Sequence, residues 1–509
     1  MNEDSRLNRI VSVPPHGGRI SFARLDGTES LSLSQLHERA GRLARRLRDR
    51  GIKPGDRIGI LAANCLEWVL LDLAALLLKA ETAGFEPGKF DPHAGLAARY
   101  DIKLLFTDRP ATAPGTVSVG EVRALSEEPE EPDADPLEPV VWGPRDVTTV
   151  KFTSGSTGPP KGLGATAGSI DGSLAAVQEI FEHSPGDDLF VFLPLSLLQQ
   201  RYWIYSALAH GHDVTVTTYE AAFAALRRVQ PTVVMGVPAF YETAKRQIEA
   251  RLRRADGAQT PAQAARRMFG DRIRYLWTGS APAAPATLAF FAEAGLPIYE
   301  GYGLNETCIV AKNHPGASRE GSVGRVLPGK EVLLDEDGVI HVRSDHPVND
   351  HYAYAAPGDS ERVFEPGGTV RTGDLGHIDE DGFLFVRGRA DDVIVLDNGK
   401  KVVVRPIEES MRSSPAVAEC VLFCPAQTDL VGVVSPASLP ADLDAIAAQL
   451  AATNAALAKD ERISRVIVAD TPFGIGNGLL TSQYKPRRAQ ILAVHQGAIH
   501  DSKEGIHAT

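Results

Sequence analysis

The spacing of apolar residues along the first part of the chain predicts alternating helices and strands. Residues 34–50 are expected to form an amphipathic helix, because apolar side chains recur every three or four positions and arginines occupy the other face. The run 57–61 predicts a strand, and a helix is expected around residues 68–79. The alternation continues for about 380 residues, as is typical of layered α/β proteins. The apolar face of the first helix would consist of Leu36, Ala40, Leu43 and Leu47.

The pattern changes near residue 388, where shorter elements indicate a small α+β unit. A chain of 509 residues also exceeds what one hydrophobic core usually supports. We therefore expect two domains, at residues 1–388 and 389–509. The acidic, proline-rich segment 126–139 is expected to be a surface loop or linker.

Composition and charge restrict the classes of function. The apolar fraction of 43% and the charged fraction of 23% are those of a globular protein in water. A formal net charge of −12 argues against nucleic acid as the main partner. The cysteines are too few for a disulfide scaffold and suit a reducing compartment, which predicts a cytoplasmic location. They are Cys65, Cys308, Cys420 and Cys424.

The sequence predicts no membrane span. The N-terminus lacks the apolar stretch of a secretory signal peptide. The most apolar run, from Trp68 to Leu78, is interrupted by Asp72 and falls short of the roughly 20 residues that a span needs. This run is expected to be a buried helix.

A loop rich in glycine and hydroxyl groups follows a predicted strand at residues 147–152. Its sequence, from Thr153 to Gly162, is TSGSTGPPKG. Glycines let backbone N–H groups turn toward an anion, and Ser and Thr hydroxyls add donors, so the loop could hold phosphates. The spacing is not that of a Walker A loop. Taken alone, such a segment is more often a flexible linker.

Residues 276–282 and 299–307 carry groups suited to an adenine base and a metal ion. Small residues surround flat aromatic ones there, which could form a slot for a planar base. Glu306 offers an oxygen ligand for Mg²⁺. In isolation, Glu306 is more often a surface glutamate than a metal ligand.

Two later segments carry groups suited to a ribose and a phosphate. Asp374 could accept hydrogen bonds from both ribose hydroxyls, and Arg389 could reach a ribose or phosphate oxygen. Lys485 lies on a glycine-flanked loop and could neutralise a phosphate. The alternatives are a hairpin with ordinary surface charges and a cation in a basic patch.

Together and in this order, these segments resemble the adenylate-forming superfamily of acyl-CoA synthetases, peptide-synthetase adenylation domains and luciferases. The resemblance covers nearly the whole chain. Leu193-Pro194-Leu195 with Gln200-Arg201, and residues 398–401 and 477–481, are similar to the fatty-acyl-CoA synthetase branch of AMP-dependent synthetases and ligases. The resemblance implies an α/β fold with a large multi-layer adenylating domain of two α/β sheet subdomains and a β subdomain. A small mobile α+β domain would follow at the C-terminus.

The resemblance also implies a two-step reaction. An acid would attack the α-phosphate of ATP with release of pyrophosphate, and the thiol of CoA or of a carrier-protein phosphopantetheine would then attack the adenylate. Lys485, Glu306 and Thr157 would be catalytic, with Glu306 holding Mg²⁺ and Lys485 bridging the carboxylate and the α-phosphate. The C-terminal domain would rotate about a hinge at Asp391.

The remaining assignments implied by the resemblance concern the nucleotide and the acid. The phosphate cradle would be Thr153, Ser154, Gly155, Ser156, Thr157, Gly158 and Lys161. Adenine would be framed by Gly279, Ser280, Ala281, Glu300, Gly301, Tyr302 and Gly303, and the ribose held by Asp374 and Arg389. The acid pocket would include Leu197, Gln200, Tyr202, Val237 and Trp277.

Departures from the branch pattern leave the acid and the acceptor open. Leu197 stands where the branch has histidine, and Gln200 where it has glutamate. The main hypothesis is a ligase for a small or medium carboxylic acid that makes an acyl thioester, with a carrier protein as a possible partner. A second keeps adenylation but forms an amide, or activates nitrite for N–N bond or diazo formation on an amine. A third is a nucleotide-binding protein without turnover.

Overall fold

A computed structural model describes residues 5–110, 113–129, 135–153, 160–255, 258–397, 400–425, 427–481, 484–501 and 505–508. The chain forms two compact units, called here the N-terminal and C-terminal units. The N-terminal unit comprises Met1–Ala281, Phe290–Leu333 and His341–Arg371, and the C-terminal unit comprises Pro282–Ala289, Leu334–Ile340 and Thr372–Thr509.

The first predicted helix is Leu33–Asp49, and its four predicted apolar residues are fully buried. The helix begins at a capping box, in which the Ser32 hydroxyl accepts from the Gln35 N–H and the Gln35 side chain accepts from the Ser32 N–H. The predicted strand is Arg57–Leu61, and the buried helix after it is Leu66–Leu77. These three predictions are confirmed.

Two largely parallel sheets form the framework of the N-terminal unit, as expected for an α/β protein. The larger sheet has the spatial order Arg325–Val326, Cys308–Lys312, Ile298–Leu304, Tyr275–Thr278, Val233–Gly236, Asp188–Val191, Asp213–Val216, Arg19–Ala23 and Thr28–Ser32. The other has the order Thr116–Ser118, Ile102–Thr107, Arg57–Leu61, Glu81–Gly84, Val147–Thr153 and Lys161–Thr166. Helices pack around these sheets. They are Arg6–Ser12, Leu33–Asp49, Leu66–Leu77, Ala94–Arg99, Gly120–Glu127, Ala167–Phe181, Leu198–His210, Ala222–Val229, Pro238–Ala255 and Pro261–Phe269.

A buried ion pair joins two helices of this core. Arg201 is 1% exposed, and its guanidinium lies 2.8 Å from Asp72 Oδ1. Asp72 Oδ2 accepts from the Tyr205 hydroxyl at 2.5 Å, and the arginine lies over the Trp68 ring. Asp72, which interrupts the most apolar run of the sequence, is therefore the anchor for the helix Leu198–His210.

The C-terminal unit contains a separate antiparallel and parallel sheet with helices against it. Its spatial order is Val417–Phe423, Leu430–Pro436, Ile463–Val468 and Ile506–His507. The strands Val393–Val395 and Lys401–Val403 pair with each other. The helices are Val404–Met411, Leu443–Ala455 and Arg488–His500, with 3₁₀ turns at Ala390–Asp392 and Lys459–Glu461.

The other elements are one helix, Pro285–Glu293, and the strands Lys330–Leu334, Val339–Ser344, Phe364–Glu365, Thr369–Ile378 and Leu384–Arg389. Among the residues that the structure describes, no helix has both the length and the apolarity needed to cross a bilayer.

Candidate active site

A cavity in the N-terminal unit lies beside two helices and at the ends of two strands. The helices are Ala167–Phe181 and Leu198–His210, and the strands are Val233–Gly236 and Tyr275–Thr278. The empty volume is about 680 Å³, its open mouth included. The carboxyl ends of parallel strands are where open α/β sheets bind ligands. The lining residues are Ser173, Leu174, Val177, Leu193, Gln199, Gln200, Tyr202, Trp203, Ser206, Met235, Gly236, Val237, Trp277, Gly279, Ser280, Gly301, Tyr302, Gly303 and Ile309.

Most residues predicted to bind the acid line this cavity. Gln200, Tyr202, Val237 and Trp277 contribute to its wall. Leu197 precedes the helix Leu198–His210, is half-buried and is not part of the lining. The helix therefore presents its first turn to the cavity through the residues after Leu197.

Segments predicted to frame adenine line the same cavity. Gly279 and Ser280 follow one strand, and residues 301–303 belong to the neighbouring strand. Ser280 has a φ of +72°, a strained conformation that is common at ligand sites. Gly303 is required by the hairpin itself, because a Cβ there would lie 2.0 Å from the Cys308 carbonyl oxygen. Ala281 and Glu300 are half-buried and are not part of the lining.

Lys312 is a buried lysine beside the cavity that the sequence analysis missed. Its Nζ donates to the Tyr299 carbonyl at 2.6 Å and lies 3.9 Å from the centre of the Trp277 ring. A Cβ on Gly301 would lie 2.6 Å from Lys312 Cδ, so the lysine explains this glycine. Burial lowers the pKa of Lys312 well below its usual value, against the attraction of Glu300. In the sequence, Lys312 is marked only by its position at the end of the short apolar run 308–311.

Tyr202 reaches Cys308 at the back of the cavity. The Tyr202 hydroxyl lies 3.0 Å from Cys308 Sγ, and both residues are buried. Burial raises the pKa of Tyr202 well above its usual value. Burial also opposes ionisation of Cys308, but the charges of Lys151 and Lys330 and the Tyr202 hydroxyl bring the pKa of the thiol below its usual value. The contact fixes the tyrosine ring in the cavity wall.

Tyr352 contacts two residues predicted to face phosphates and metal. Its hydroxyl donates to Glu306 Oε1 at 2.6 Å, and its ring centre lies 5.1 Å from Lys161 Nζ. Lys161 also pairs with Asp359 at 3.0 Å, and this hydrogen bond lowers the pKa of Asp359. Tyr352 and Asp359 could not be predicted from the sequence, because only the fold brings them beside Glu306 and Lys161.

The predicted phosphate cradle is only partly described. Thr153 ends the strand Val147–Thr153, and Lys161 begins the strand with which it pairs. Residues 154–158, which carry the predicted roles of Ser154, Gly155, Ser156, Thr157 and Gly158, lie outside the described residues.

The predicted ribose and lysine residues lie in the C-terminal unit. Asp374 and Arg389 are cross-strand partners, with 3.0 Å between Asp374 Oδ1 and the guanidinium. The Lys485 carbonyl accepts a hydrogen bond from the Thr481 N–H at 2.8 Å. Asp391 lies in the 3₁₀ turn Ala390–Asp392, directly after the strand that carries Arg389.

The electrostatic surroundings of Lys485 lower its pKa. Desolvation of the ammonium is the main cause, Asp374 opposes it, and Arg405 and Arg389 add to it. The residue as a whole is exposed, so solvent limits the size of this shift. An amine with a lowered pKa loses its charge at a lower pH than an ordinary lysine.

Comparisons with known proteins agree with these assignments of fold and enzyme class. Residues 12–346 match the family model described as AMP-binding enzyme, and residues 391–502 match the model described as AMP-binding enzyme C-terminal domain. A relative named putative fatty-acid–CoA ligase fadD11, from Mycobacterium tuberculosis (strain CDC 1551 / Oshkosh), is 29% identical over 422 residues. The match covers 70% of this chain and 74% of the relative.

A similar solved fold is O-succinylbenzoate coenzyme A synthetase (MenE) from Bacillus subtilis. Its complex with AMP has a TM-score of 0.78 at 21% identity, covering 98% of this chain and 99% of the other. Its complex with ATP and magnesium has a TM-score of 0.76 at 21% identity, covering 96% and 98%. The chain therefore belongs to the AMP-binding enzyme family, which confirms the predicted superfamily, its α/β fold and its class of AMP-forming acid ligase.

Proposed function

We propose that the protein uses ATP and Mg²⁺ to activate a small or medium carboxylic acid as its adenylate. It then transfers the acyl group to a thiol, and CoA is the favoured acceptor. One observation carries this proposal: most residues of the predicted adenine frame and most residues of the predicted acid wall line a single cavity. An acid bound against Trp277 would thus lie next to a nucleotide bound at Gly279 and residues 301–303. Holding two reactants side by side is the main requirement for such a displacement.

The described residues fit a nucleotide carrying Mg²⁺. Protein-bound Mg²⁺ usually takes one or two carboxylates and completes its shell with phosphates and water. Glu306 supplies one carboxylate, held by the Tyr352 hydroxyl. When bound, the ion would neutralise charge on the phosphates, and Glu306 would hold it in place.

Roles in the C-terminal unit are proposed for three residues. Asp374, a buried carboxylate, would accept from the ribose hydroxyls, and Arg389 would hold it in position through their 3.0 Å ion pair. Lys485 would place its ammonium between the acid carboxylate and the α-phosphate. Fixed charges of this kind are usually the largest contribution to stabilising a transition state.

The acceptor and the domain rotation are also proposals. CoA is favoured because the relative fadD11 is named a fatty-acid–CoA ligase and MenE a coenzyme A synthetase. A carrier-protein phosphopantetheine presents the same thiol and is the alternative acceptor. Rotation of residues 389–509 about Asp391 would withdraw Lys485 between the two steps. We also propose a cytoplasmic location, supported by cysteines that are free thiols in the structure.

The test is release of pyrophosphate from ATP without CoA, measured across small, aromatic and fatty carboxylates and nitrite. A signal that depends on a carboxylate, and a hydroxamate when hydroxylamine is added, are expected. Adding CoA should then give the acyl-CoA by mass spectrometry. A signal with nitrite alone would replace this proposal with N–N bond chemistry, and amide as the sole product would change the acceptor.

Lys485→Ala and Lys459→Ala form a matched pair of variants. Both remove a lysine of the C-terminal unit, but Lys459 is an exposed residue of the turn Lys459–Glu461. Lys485→Ala should abolish most pyrophosphate release and Lys459→Ala should not. Equal activity of the two variants would reject the role given to Lys485.

A further inference from the structure

Gln200 places a buried acceptor without a partner in the wall of the acid cavity. The residue is 1% exposed and lies in the first turn of the helix Leu198–His210. Its Oε1 has no hydrogen-bond partner in the protein. Of the buried side-chain atoms that lack a partner among the described residues, this is the one that belongs to a cavity-lining residue. Buried polar groups are nearly always paired, and neither atom of the Gln200 amide bonds to another described residue, so the amide indicates a polar partner outside the protein.

Other buried polar groups of the wall already have partners within the protein. The Tyr202 hydroxyl lies 3.0 Å from Cys308 Sγ, and the Trp203 Nε1 lies 3.2 Å from Met235 Sδ. Ser206 Oγ lies 2.9 Å from His212 Nε2, and Ser173 Oγ donates to the Ser169 carbonyl. These contacts engage the polar side-chain atoms of all four residues within the protein.

The charge of the wall restricts the donor. No cavity-lining residue in the described part of the chain is Asp, Glu, Lys or Arg. An ammonium group buried there would lack a counter-ion, which carries a large desolvation penalty. A neutral hydroxyl, amide N–H or aromatic amine N–H needs only an acceptor, which Gln200 supplies.

We infer that the acid activated in this cavity carries an uncharged O–H or N–H group that forms a hydrogen bond with the side-chain amide of Gln200. This inference rests on the proposed acid-activating function and adds the class of substrate. A plain fatty acid would leave the Gln200 oxygen buried and unpaired. A site built around a hydrogen bond to the substrate rejects analogues that lack the donor far more strongly than an apolar pocket distinguishes methylene groups.

The experiment compares matched acids in which a hydroxyl is replaced by a methyl of similar size. The aromatic set is the ortho, meta and para hydroxybenzoates against the corresponding methylbenzoates and benzoate. The linear set is ω-hydroxy acids against fatty acids with one more carbon. For the best-placed hydroxyl, kcat/KM for pyrophosphate release should exceed that of its methyl partner by about ten- to hundredfold.

Gln200→Met tests the residue, because methionine has a similar length and no hydrogen-bonding amide. The preference for hydroxyl over methyl should fall to about one. The Tm of the unliganded variant should rise, because an unpaired buried acceptor is removed. Gln200→Leu also lacks the hydrogen-bonding amide and should lose the preference as well, which covers the case in which the methionine variant fails to fold. Gln247→Met removes an exposed amide of the helix Pro238–Ala255, outside the cavity lining, and should leave the ratio as in the wild type.

A second readout does not depend on turnover. The sulfamoyl-adenosine analogue of the preferred hydroxy acid should raise the wild-type Tm more than the methyl analogue, and this difference should vanish in Gln200→Met. Equal kcat/KM for every matched pair, or an unchanged ratio in Gln200→Met, would overturn the inference while the acid-activating function stands. If no acid releases pyrophosphate, the proposed function fails and this inference fails with it.

Discussion

The buried pair of Asp72 and Arg201 should be a principal determinant of the stability of the N-terminal unit. Asp72→Asn removes the negative charge and leaves the guanidinium of Arg201, which is 1% exposed, without a counter-ion. Breaking such a pair by removing one partner costs about 3–5 kcal/mol. The Tyr205 hydroxyl also loses an ionised acceptor, so we expect the upper half of that range.

Arg201→Met should cost less than Asp72→Asn. The carboxylate would keep two donors, the hydroxyls of Tyr205 and Thr82, at 2.5 and 3.1 Å. The double variant should recover at least about 2 kcal/mol relative to the sum of the single variants, because the charge left unpaired in each is then absent.

Urea unfolding followed by tryptophan fluorescence measures the free energy of unfolding of the N-terminal unit, which contains Asp72 and Arg201. All four tryptophans, Trp68, Trp142, Trp203 and Trp277, belong to the N-terminal unit. Glu331→Gln provides a control, because it breaks an ion pair with Arg343 in which both side chains are about half exposed. That exposed pair should contribute less than about 1 kcal/mol. A cost below about 1 kcal/mol for Asp72→Asn would refute the reasoning, because it would equal that of the exposed pair.

Three further predictions concern the active site. Glu306→Gln should lower the rate of pyrophosphate release about a hundredfold and raise the Mg²⁺ concentration needed for the half-maximal rate. Tyr352→Phe should lower the rate about tenfold. An unchanged Mg²⁺ dependence in Glu306→Gln would contradict the role given to Glu306. Because the pKa of Lys485 is lowered, the rate of adenylation should begin to fall with rising pH below the usual lysine range, and Lys485→Arg should move this fall to higher pH; superimposable pH profiles would exclude Lys485 as the titrating group. Lys312 binds its proton less well in the folded chain than in the unfolded one, so the stability it contributes rises as pH increases from its lowered pKa toward 10.5. Between about pH 7 and 10 the urea midpoint should therefore rise less steeply in Lys312→Met than in the wild type. Parallel profiles of the two proteins would contradict the lowered pKa.

Local pattern and motif order were sufficient to predict the fold class and much of the cavity wall. The helix Leu33–Asp49 follows from its apolar spacing, because its buried face depends on periodicity within one segment. Gln200, Tyr202 and Trp277 lie within or beside segments that resemble the superfamily, and all three line the cavity, as Val237 also does. The division into domains and the roles of the site residues remain predictions.

Contacts between distant segments could not be predicted in this way. Tyr352 is 46 residues from Glu306, and the hydroxyl that holds the carboxylate has no marker in the local sequence. Lys312 depends on the close approach of two neighbouring strands, which its own strand does not encode. The unpaired oxygen of Gln200 is likewise a property of the packed wall, because it is defined by which neighbours already have partners.

The ion pair between Lys161 and Asp359 has a consequence for which anions the protein can bind. The Asp359 carboxylate lies 3.0 Å from Lys161 Nζ, where we propose that a phosphate of the nucleotide binds. A small anion of single charge that displaced it would only exchange one ion pair for another. A nucleotide triphosphate brings several charges to the same place, so it can replace the carboxylate with a net gain. On this proposal, Asp359 would act as a competitor that favours the binding of polyanions over the simple anions of the surrounding solution.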